Sequence, residues 1–469
     1  MLDDACRRTI AARVATLVLV LVSVSAWGED RAEMPAGAEK RPMGDRISLS
    51  QAVGRALGQG FLAQIARLES GQAEQQALEM RGAYLPQLLI EAQAGWSNRI
   101  NEKMVAGDGK VYGLDNMGND PWIDVFVRQA LVDIRLWNLI EREQLAVELA
   151  EVAEAEVREG VAFEVTRQYA NLVRLDLLVA GARRDHADAL WLEDKAQRRA
   201  DAGRALALDR DDAELYREEA ELLIESLEVE REAVRTALRV SLGYPDAAED
   251  WPQVIPESLP TVAVMNLPEG TDLELQQTPE VRSLEMRRRM EEASVSAAEA
   301  ERWPTLQLRG GYANYGIKRY DEFKDAGYVF VGMEIPLFDG LQTKHSIAGA
   351  RKAAEIARLR YRSALAEKRS RMESLMRKLE TATRRAELAA RRGRSSRSQQ
   401  RHADLELQAQ RGDLDSALTA RRRSASDAAV SIDRRFELIE VWARLQREMG
   451  ILARRLAPDS GVTAPASRP

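Results

Sequence analysis

Two stretches decide how this chain is read: EMRGAYLPQLLIEAQAGW at 79–96 and AEAERWPTLQLRGGYANYG at 298–316. Each runs from a polar, Ala-rich helical pattern through an aromatic residue or Leu into a proline. Each then alternates apolar and polar residues. Proline cannot continue a helix interior, so Pro86 and Pro304 mark helix-to-strand junctions. After Pro86, Leu88, Ile90, Ala92, Ala94 and Trp96 fall on one face and Leu89, Glu91, Gln93 and Ser97 on the other. After Pro304, Leu306, Leu308, Gly310 and Tyr312 alternate with Gln307, Arg309 and Gly311.

Each junction has a return strand. In PWIDVFVRQALVD at 121–133, Ile123, Val125 and Val127 alternate with Asp124, Phe126 and Arg128; in the second half, Val329, Val331, Met333 and Ile335 alternate with Phe330, Gly332 and Glu334. Asp339 after the last strand answers Asp133. That offset is 206 residues against 218 between the prolines, so the first hairpin carries twelve extra, polar and Gly-rich loop residues. Strands of about ten residues with one apolar and one polar face have the length and pattern of membrane β-strands. The same pattern suits a half-buried strand of a soluble sheet.

The segments after each hairpin are long helices. Gly160 and Gly181 are the only breakers between Arg135 and Ala200, and a second helix follows from Ala205 to Leu242. The other half repeats the pair over Leu341–Gln410 and Leu414–Gly450. A run of 65 residues is about 100 Å long at the α-helical rise, too long for a compact domain. Leu172, Leu175, Val179, Ala182, His186 and Ala189 recur at coiled-coil spacing. The chain is therefore a tandem duplication: short helix, strand, strand, long helix, turn, long helix. Two hairpins supply four strands, which cannot close a barrel alone. An open edge is not tolerated in lipid, so a membrane-inserted chain must oligomerise; three copies give twelve strands.

The N-terminus reads as an export signal. RRTIAAR is a basic start, VATLVLVLVSV an apolar run too short to span a bilayer, and Val24 and Ala26 place cleavage after Ala26. The sole cysteine, Cys6, precedes that run, so neither a lipid anchor nor disulfides are expected. The formal charge of the 469-residue chain is −7; the signal's three Arg and two Asp remove one positive charge, leaving −8. This acidic balance gives no support to nucleic-acid binding. The 30 % charged and 5 % aromatic composition fits long, surface-rich helices.

In order along the chain, ISLSQAVGRALGQG (47–60), AYLPQL (83–88), ADAGRALALDRDDA (200–213), LRVSLGYP (238–245), WPTL (303–306), PLFDG (336–340) and LQREMGIL (445–452) resemble the TolC family of outer-membrane channel proteins. The likeness spans about Ile47 to Leu452. It implies a mainly α-helical homotrimer with a twelve-stranded membrane β-barrel and a coiled-coil tunnel through the periplasm. It also implies a periplasmic adaptor, an inner-membrane pump and an outer-membrane lipid environment, with drugs, metals or polypeptides passing through the lumen. The expected organisation is a signal peptide at 1–26, disordered residues at 27–46, and a first repeat at 47–243 with its hairpin at 84–133. A Pro-rich connector at 244–274 follows, then a second repeat at 275–452 with its hairpin at 304–338, and a disordered tail at 453–469. The function implied is the exit channel of a tripartite efflux or type I secretion system. A soluble periplasmic coiled-coil adaptor or scaffold is the alternative.

The turns between long helices carry the candidate sites. Gly203 suits a helix C-terminus. By the resemblance, Gly203, Leu206 and Asp209, with Gly412, Asp413 and Leu414 in the second turn, are adaptor-contact residues at the periplasmic tip. Asp209, Asp212, Asp415 and Arg421 are candidates for a gate. The family often places acids six and nine residues after the second glycine; here those positions are Leu418 and Arg421, and a ring of arginines would change ion preference. Without the resemblance, Gly203 is a helix stop and Asp209 an acid favoured by the helix dipole. Trp96, Trp122, Tyr312 and Tyr328 are expected in interfacial girdles. The basic block at 384–401 reads as a solvated helix face, an anion-attracting lumen stripe or an adaptor patch. The three histidines lack ligand spacing, and no nucleophile elbow, phosphate loop or carboxylate pair stands out, so no metal, cofactor or catalytic residue is expected.

Overall fold

The structure, a computed structural model, describes residues 46–93, 103–105, 111–113, 122–202, 207–244, 253–256, 259–260, 276–317, 322–409, 411 and 413–458. In the first half these residues form β1 (Arg46–Ile47), α1 (Leu49–Gln59), α2 (Phe61–Gly82), β2 (Gln87–Gln93), β3 (Lys103–Val105), β4 (Val111–Gly113), β5 (Trp122–Val132), α3 (Ile134–Asp201) and α4 (Ala207–Ser241). Then follow β6 (Gln253–Val254), α5 (Pro279–Ala300), β7 (Thr305–Ile317), β8 (Glu322–Glu334), α6 (Gln342–Gln408), α7 (Leu414–Glu448) and α8 (Leu452–Leu456). The duplication is visible in the lengths: α2 and α5 have 22 residues each, α3 and α6 have 68 and 67, and α4 and α7 have 35 each.

Equivalent residues make equivalent joints. Leu136 N–H donates to the Asp133 carboxylate at 2.9 Å, and Thr343 N–H to Asp339 at 2.7 Å. Both aspartates thus satisfy orphan amides at the start of a long helix, which explains why they match across the repeat. Gly243 and Gly450 end α4 and α7 with φ of +78° and +68°, a left-handed turn that favours glycine. Ser48 and Gln51 form a reciprocal capping box at α1.

The four long strands form one antiparallel sheet in the order β2-β5-β7-β8. Its register keeps the two faces separate. Leu88 pairs with Val127, Val127 with Gly310, and Gly310 with Val329, all on the apolar face; Glu91 pairs with Asp124 on the polar face. Leu88, Val329, Val331 and Met333 are all more than 60 % exposed, a band of bare apolar surface. The loop of the first hairpin contains a small ladder of its own, β3 with β4, where only loop was expected. No helix among the described residues is long and apolar enough to cross a membrane.

The long helices form a layer. In the half near the strands, α3 packs against α2 and α5, and α5 against α6; beyond it, α3 packs against α4 and α7, and α7 against α6. Midway, Tyr169 of α3 is fully buried; its hydroxyl accepts from Ile255 N–H at 2.7 Å and donates to the Ile47 carbonyl at 2.9 Å. Ile255 N–H also reaches Ile47 O at 3.1 Å, so one phenol ties both chain ends of this level to α3.

Glu159 of α3 is buried beneath α8, accepting from Leu452 N–H at 2.9 Å and Ala453 N–H at 3.2 Å. Burial pushes its carboxyl up to about 7, against the pull of those amides and of Arg447 and Arg454. A carboxyl raised in the folded state binds its proton more tightly there than in the unfolded chain. Stability therefore falls as pH rises from the unfolded value, about 4.5, to about 7, by about 3 kcal/mol. Glu159→Gln, which still offers an acceptor oxygen, is expected to flatten that dependence. Thermal unfolding at pH 5 and pH 8 checks it: an unchanged slope in the variant refutes the assignment.

Candidate functional site

The ends of the two long hairpins meet in a small core. Ala189, Leu192 and Ala196 of α3, Ala213 and Tyr216 of α4, Leu407 of α6, and Leu414, Ala417 and Leu418 of α7 form one buried cluster. Small alanines let the four helices approach closely, and the leucines and Tyr216 fill the space between them.

A polar clasp lies against this core. Arg421 of α7 is 5 % exposed. Its Nε donates to Asp404 of α6 at 2.9 Å, and its Nη1 to the Asp188 carbonyl of α3 at 3.2 Å. The Asp188 carboxylate lies 3.3 Å from the same guanidinium, which stacks 4.8 Å over the ring of Trp191. One cation thus joins three helices. Beside it, Tyr216 donates to the Asp185 carboxylate at 2.5 Å. Burial pushes Asp185 upward despite that bond, and burial together with the bond raises Tyr216. Arg422 pairs with Glu219 at 3.1 Å and covers the Tyr216 ring at 5.2 Å.

The candidate acids converge next to this clasp. Asp209, Asp212, Leu414 and Asp415 line one shallow recess floored by Leu192 and Leu418. Asp209 and Asp415 stand in the first turns of α4 and α7, where the helix dipole favours a carboxylate. Asp413 is exposed just before α7. Leu414, expected to contact an adaptor, is instead buried in the tip core, because its α7 position faces α3 and α4. Arg421, expected as a free ring of charge, is buried and neutralised by Asp404 and Asp188. Gly203, Leu206 and Gly412 lie outside the described residues. Among the described residues, no group of three or more His, Cys, Asp or Glu is placed to hold a metal ion.

The sequence reading missed Asp185, Asp188, Trp191, Asp404 and Tyr216. A signal was present. Leu414, Ala417, Leu418, Arg421 and Ser424 follow core spacing along α7, so the arginine occupies a buried position and requires carboxylates opposite it.

On the sheet, Tyr312 is exposed on the apolar face. Tyr328 does not join it in a girdle. It donates to Asp124 at 2.5 Å and stacks on Phe330 at 5.1 Å, on the polar face. Strand alternation gives the reason: Tyr328 shares parity with Phe330, not with Val329. Arg309 also reaches Asp124, at 3.0 Å, and lies 3.7 Å over the Phe126 ring. Trp122 begins β5, its side chain outside the description, and Trp96 lies outside the described residues.

Residues 271–450 match the family profile described as outer membrane efflux protein. That match covers the second repeat and its hairpin, in keeping with the resemblance to the TolC-type outer-membrane channels. Solved structures share its fold over most of their length. A membrane protein from Pseudomonas aeruginosa superposes with a TM-score of 0.74 at 19 % identity, covering 86 % of this chain and 90 % of its own. CusC, whose folding and transmembrane channel formation have been described, gives 0.72 at 17 % identity, covering 86 % and 92 %. The open state of the Neisseria gonorrhoeae MtrE outer-membrane channel gives 0.70 at 19 % identity, covering 86 % and 89 %. No curated protein matches the chain in sequence. Within this fold, the tip clasp and the recess of acids are built from this chain's own residues.

Proposed function

We propose that this protein is the outer-membrane exit channel of a tripartite efflux system, a homotrimer that conducts solutes through the outer membrane and periplasm without catalysis of its own. The observation that carries the reading is the two-faced sheet. Four strands present a bare apolar band on one side and Asp124, Arg309 and Arg128 on the other, and they continue into helices of 67 and 68 residues. An apolar outside and a charged inside are what lipid and a water-filled lumen require of a barrel wall. Closure needs further copies, since β2 and β8 are edges within one chain. An inner-membrane pump supplies energy, and a periplasmic adaptor docks at the turns around Gly203, Leu206, Asp209, Gly412 and Asp413.

Asp209, Asp212 and Asp415 then form the acidic mouth of the tunnel, and the Arg421 clasp holds that mouth together. Purified trimers in a planar bilayer are expected to show discrete, cation-selective conductance. Asp209→Asn, Asp212→Asn and Asp415→Asn combined are expected to shift permeability toward anions, because rings of carboxylate set ion preference. Arg421→Ala is expected to raise conductance by loosening the tip. Unchanged selectivity and conductance place the constriction elsewhere. Folded trimers that never conduct overturn the channel reading.

A further inference from the structure

Midway along the helical layer a cleft of about 300 Å³ opens between α3 and α7. It lies on the face of α3 turned away from Tyr169. At about 100° per residue, Arg167, Asn171 and Arg174 fall within about 40° of the opposite direction. β1 and β6 cover the Tyr169 side, so the cleft opens on the other side of the layer. There α4 flanks α3 and α6 flanks α7, which keeps the cleft clear of the layer's edges.

The floor is apolar and the two walls carry opposite charge. Ala170, Phe436, Ile439 and Ala443 are buried along the floor, and the short alanines leave the hollow. α3 contributes Arg167, Asn171 and Arg174; α7 contributes Asp433, Glu437 and Glu440. Both sets have i, i+4, i+7 spacing, so each forms one stripe along its helix. At one end the walls touch, Arg174 to Asp433 at 3.0 Å, and Glu230 of α4 closes that end by holding Arg174 at 2.9 Å. About two turns further the walls stay apart. Arg167 gives its Nε and Nη2 to Glu164 of its own helix, at 3.0 and 2.6 Å. Among the described residues no ion pair joins Arg167 to Glu440 opposite. The Glu164 bond raises the pKa of Arg167, and the nearby charge of Glu440 adds to it. Glu440 is tied to Arg444, 3.3 Å away, and Glu437 to Arg434, at 2.5 Å.

We propose that this cleft binds a small zwitterion with an apolar body, the chemistry of an apolar dipeptide. Unlike charges that face each other across an apolar floor without touching fit a ligand that carries both charges itself. Its carboxylate meets Arg167, whose planar guanidinium suits that group and keeps Nη1 beyond the Glu164 bond. Its ammonium meets Glu437 and Glu440, and its side chains cover Ala170 and Phe436. The volume lies at the small end of ligand pockets. A ligand with one charge leaves the other wall unmatched, which gives the site its selectivity. As a resting place for solute on the tunnel wall the site rests on the channel reading; the binding itself does not.

Calorimetric titration of the purified full chain with leucyl-leucine tests the site. Saturable binding is expected. N-acetyl-leucyl-leucine and leucyl-leucine amide, each short of one charge, are expected to bind about fivefold more weakly. Arg167→Gln and Glu440→Gln are each expected to weaken leucyl-leucine by about the same factor. The losses cross over: Arg167→Gln leaves the amide unaffected, and Glu440→Gln leaves the acetylated form unaffected. A purely structural role for either side chain does not produce that crossing. Equal binding of the intact and blocked dipeptides, or binding indifferent to both variants, overturns the site. A conducting protein that binds no leucyl-leucine overturns the site and leaves the channel reading standing. The full binding pattern from folded protein that never conducts keeps the site and overturns the channel reading.

Discussion

Lys368→Met is expected to lower the stability of the tunnel by about 3 kcal/mol, because it strips the cation from a buried charge network. Lys368 of α6 is 3 % exposed, and its Nζ lies 2.6 Å from Glu448 of α7 and 2.8 Å from Glu280 of α5. Arg371, one turn on, pairs with Glu280 at 2.5 Å but reaches Glu448 only at 3.8 Å. Removing Lys368 leaves Glu448 with a distant partner and sets two carboxylates against each other. Burial alone pushes Glu280 upward; the hydrogen bonds from Lys368 and Arg371 outweigh it and hold the carboxyl below its usual range. A carboxyl depressed in the folded state adds stability above its unfolded value, about 4.5, and loses it as pH falls through the folded value. The wild type is therefore expected to weaken in acid more than the variant does. Thermal melts by circular dichroism at pH 7 and pH 4 measure both effects; equal melting temperatures at pH 7 refute the network's role.

Gly311→Ala is expected to abolish the sheet while leaving the helices intact. Gly311 of β7 pairs with Phe126 of β5. A Cβ there would lie 2.6 Å from the Phe126 Cβ and 2.6 Å from the Val125 carbonyl oxygen. The second contact is to backbone, so no side-chain rotation relieves it and the strands must part. Phe126 occupies the space the glycine leaves, with Arg309 stacked on its ring and bonded to Asp124. Overpacking of this kind costs about 3 kcal/mol. The β5–β7 ladder is the one strand pairing that joins the two hairpins among the described residues, so its loss removes the four-stranded wall. Membrane insertion and bilayer conductance are expected to be lost, with helical circular dichroism retained. Gly332→Ala, where nothing lies within 4 Å, is the neutral control. Normal conductance from Gly311→Ala refutes the prediction.

Much of this was legible in the sequence. Pro86 and Pro304 stop helices because proline lacks an N–H and excludes the helical conformation before it. Asp133 and Asp339 match because both cap a long helix. Strand faces followed from alternation alone, and that rule also contradicts a lipid-facing Tyr328. The candidate site was legible only in part. The acids of the two tip turns were visible as first-turn carboxylates, but their convergence on one recess required α3, α4 and α7 to meet.

The sequence by itself determined the periodic features: two repeats, the helix lengths, the strand faces and the helix caps. These depend on interactions within a few residues, at spacings set by the helix turn and the strand pleat. Tertiary structure alone decided which carboxylates meet the buried cations. Arg421 follows the core spacing of its own helix, but nothing local names its partners, and each of Arg421 and Lys368 is enclosed by carboxylates from two other helices. Their partners lie between 17 and 233 residues away, and local periodicity carries no information about pairs at that separation.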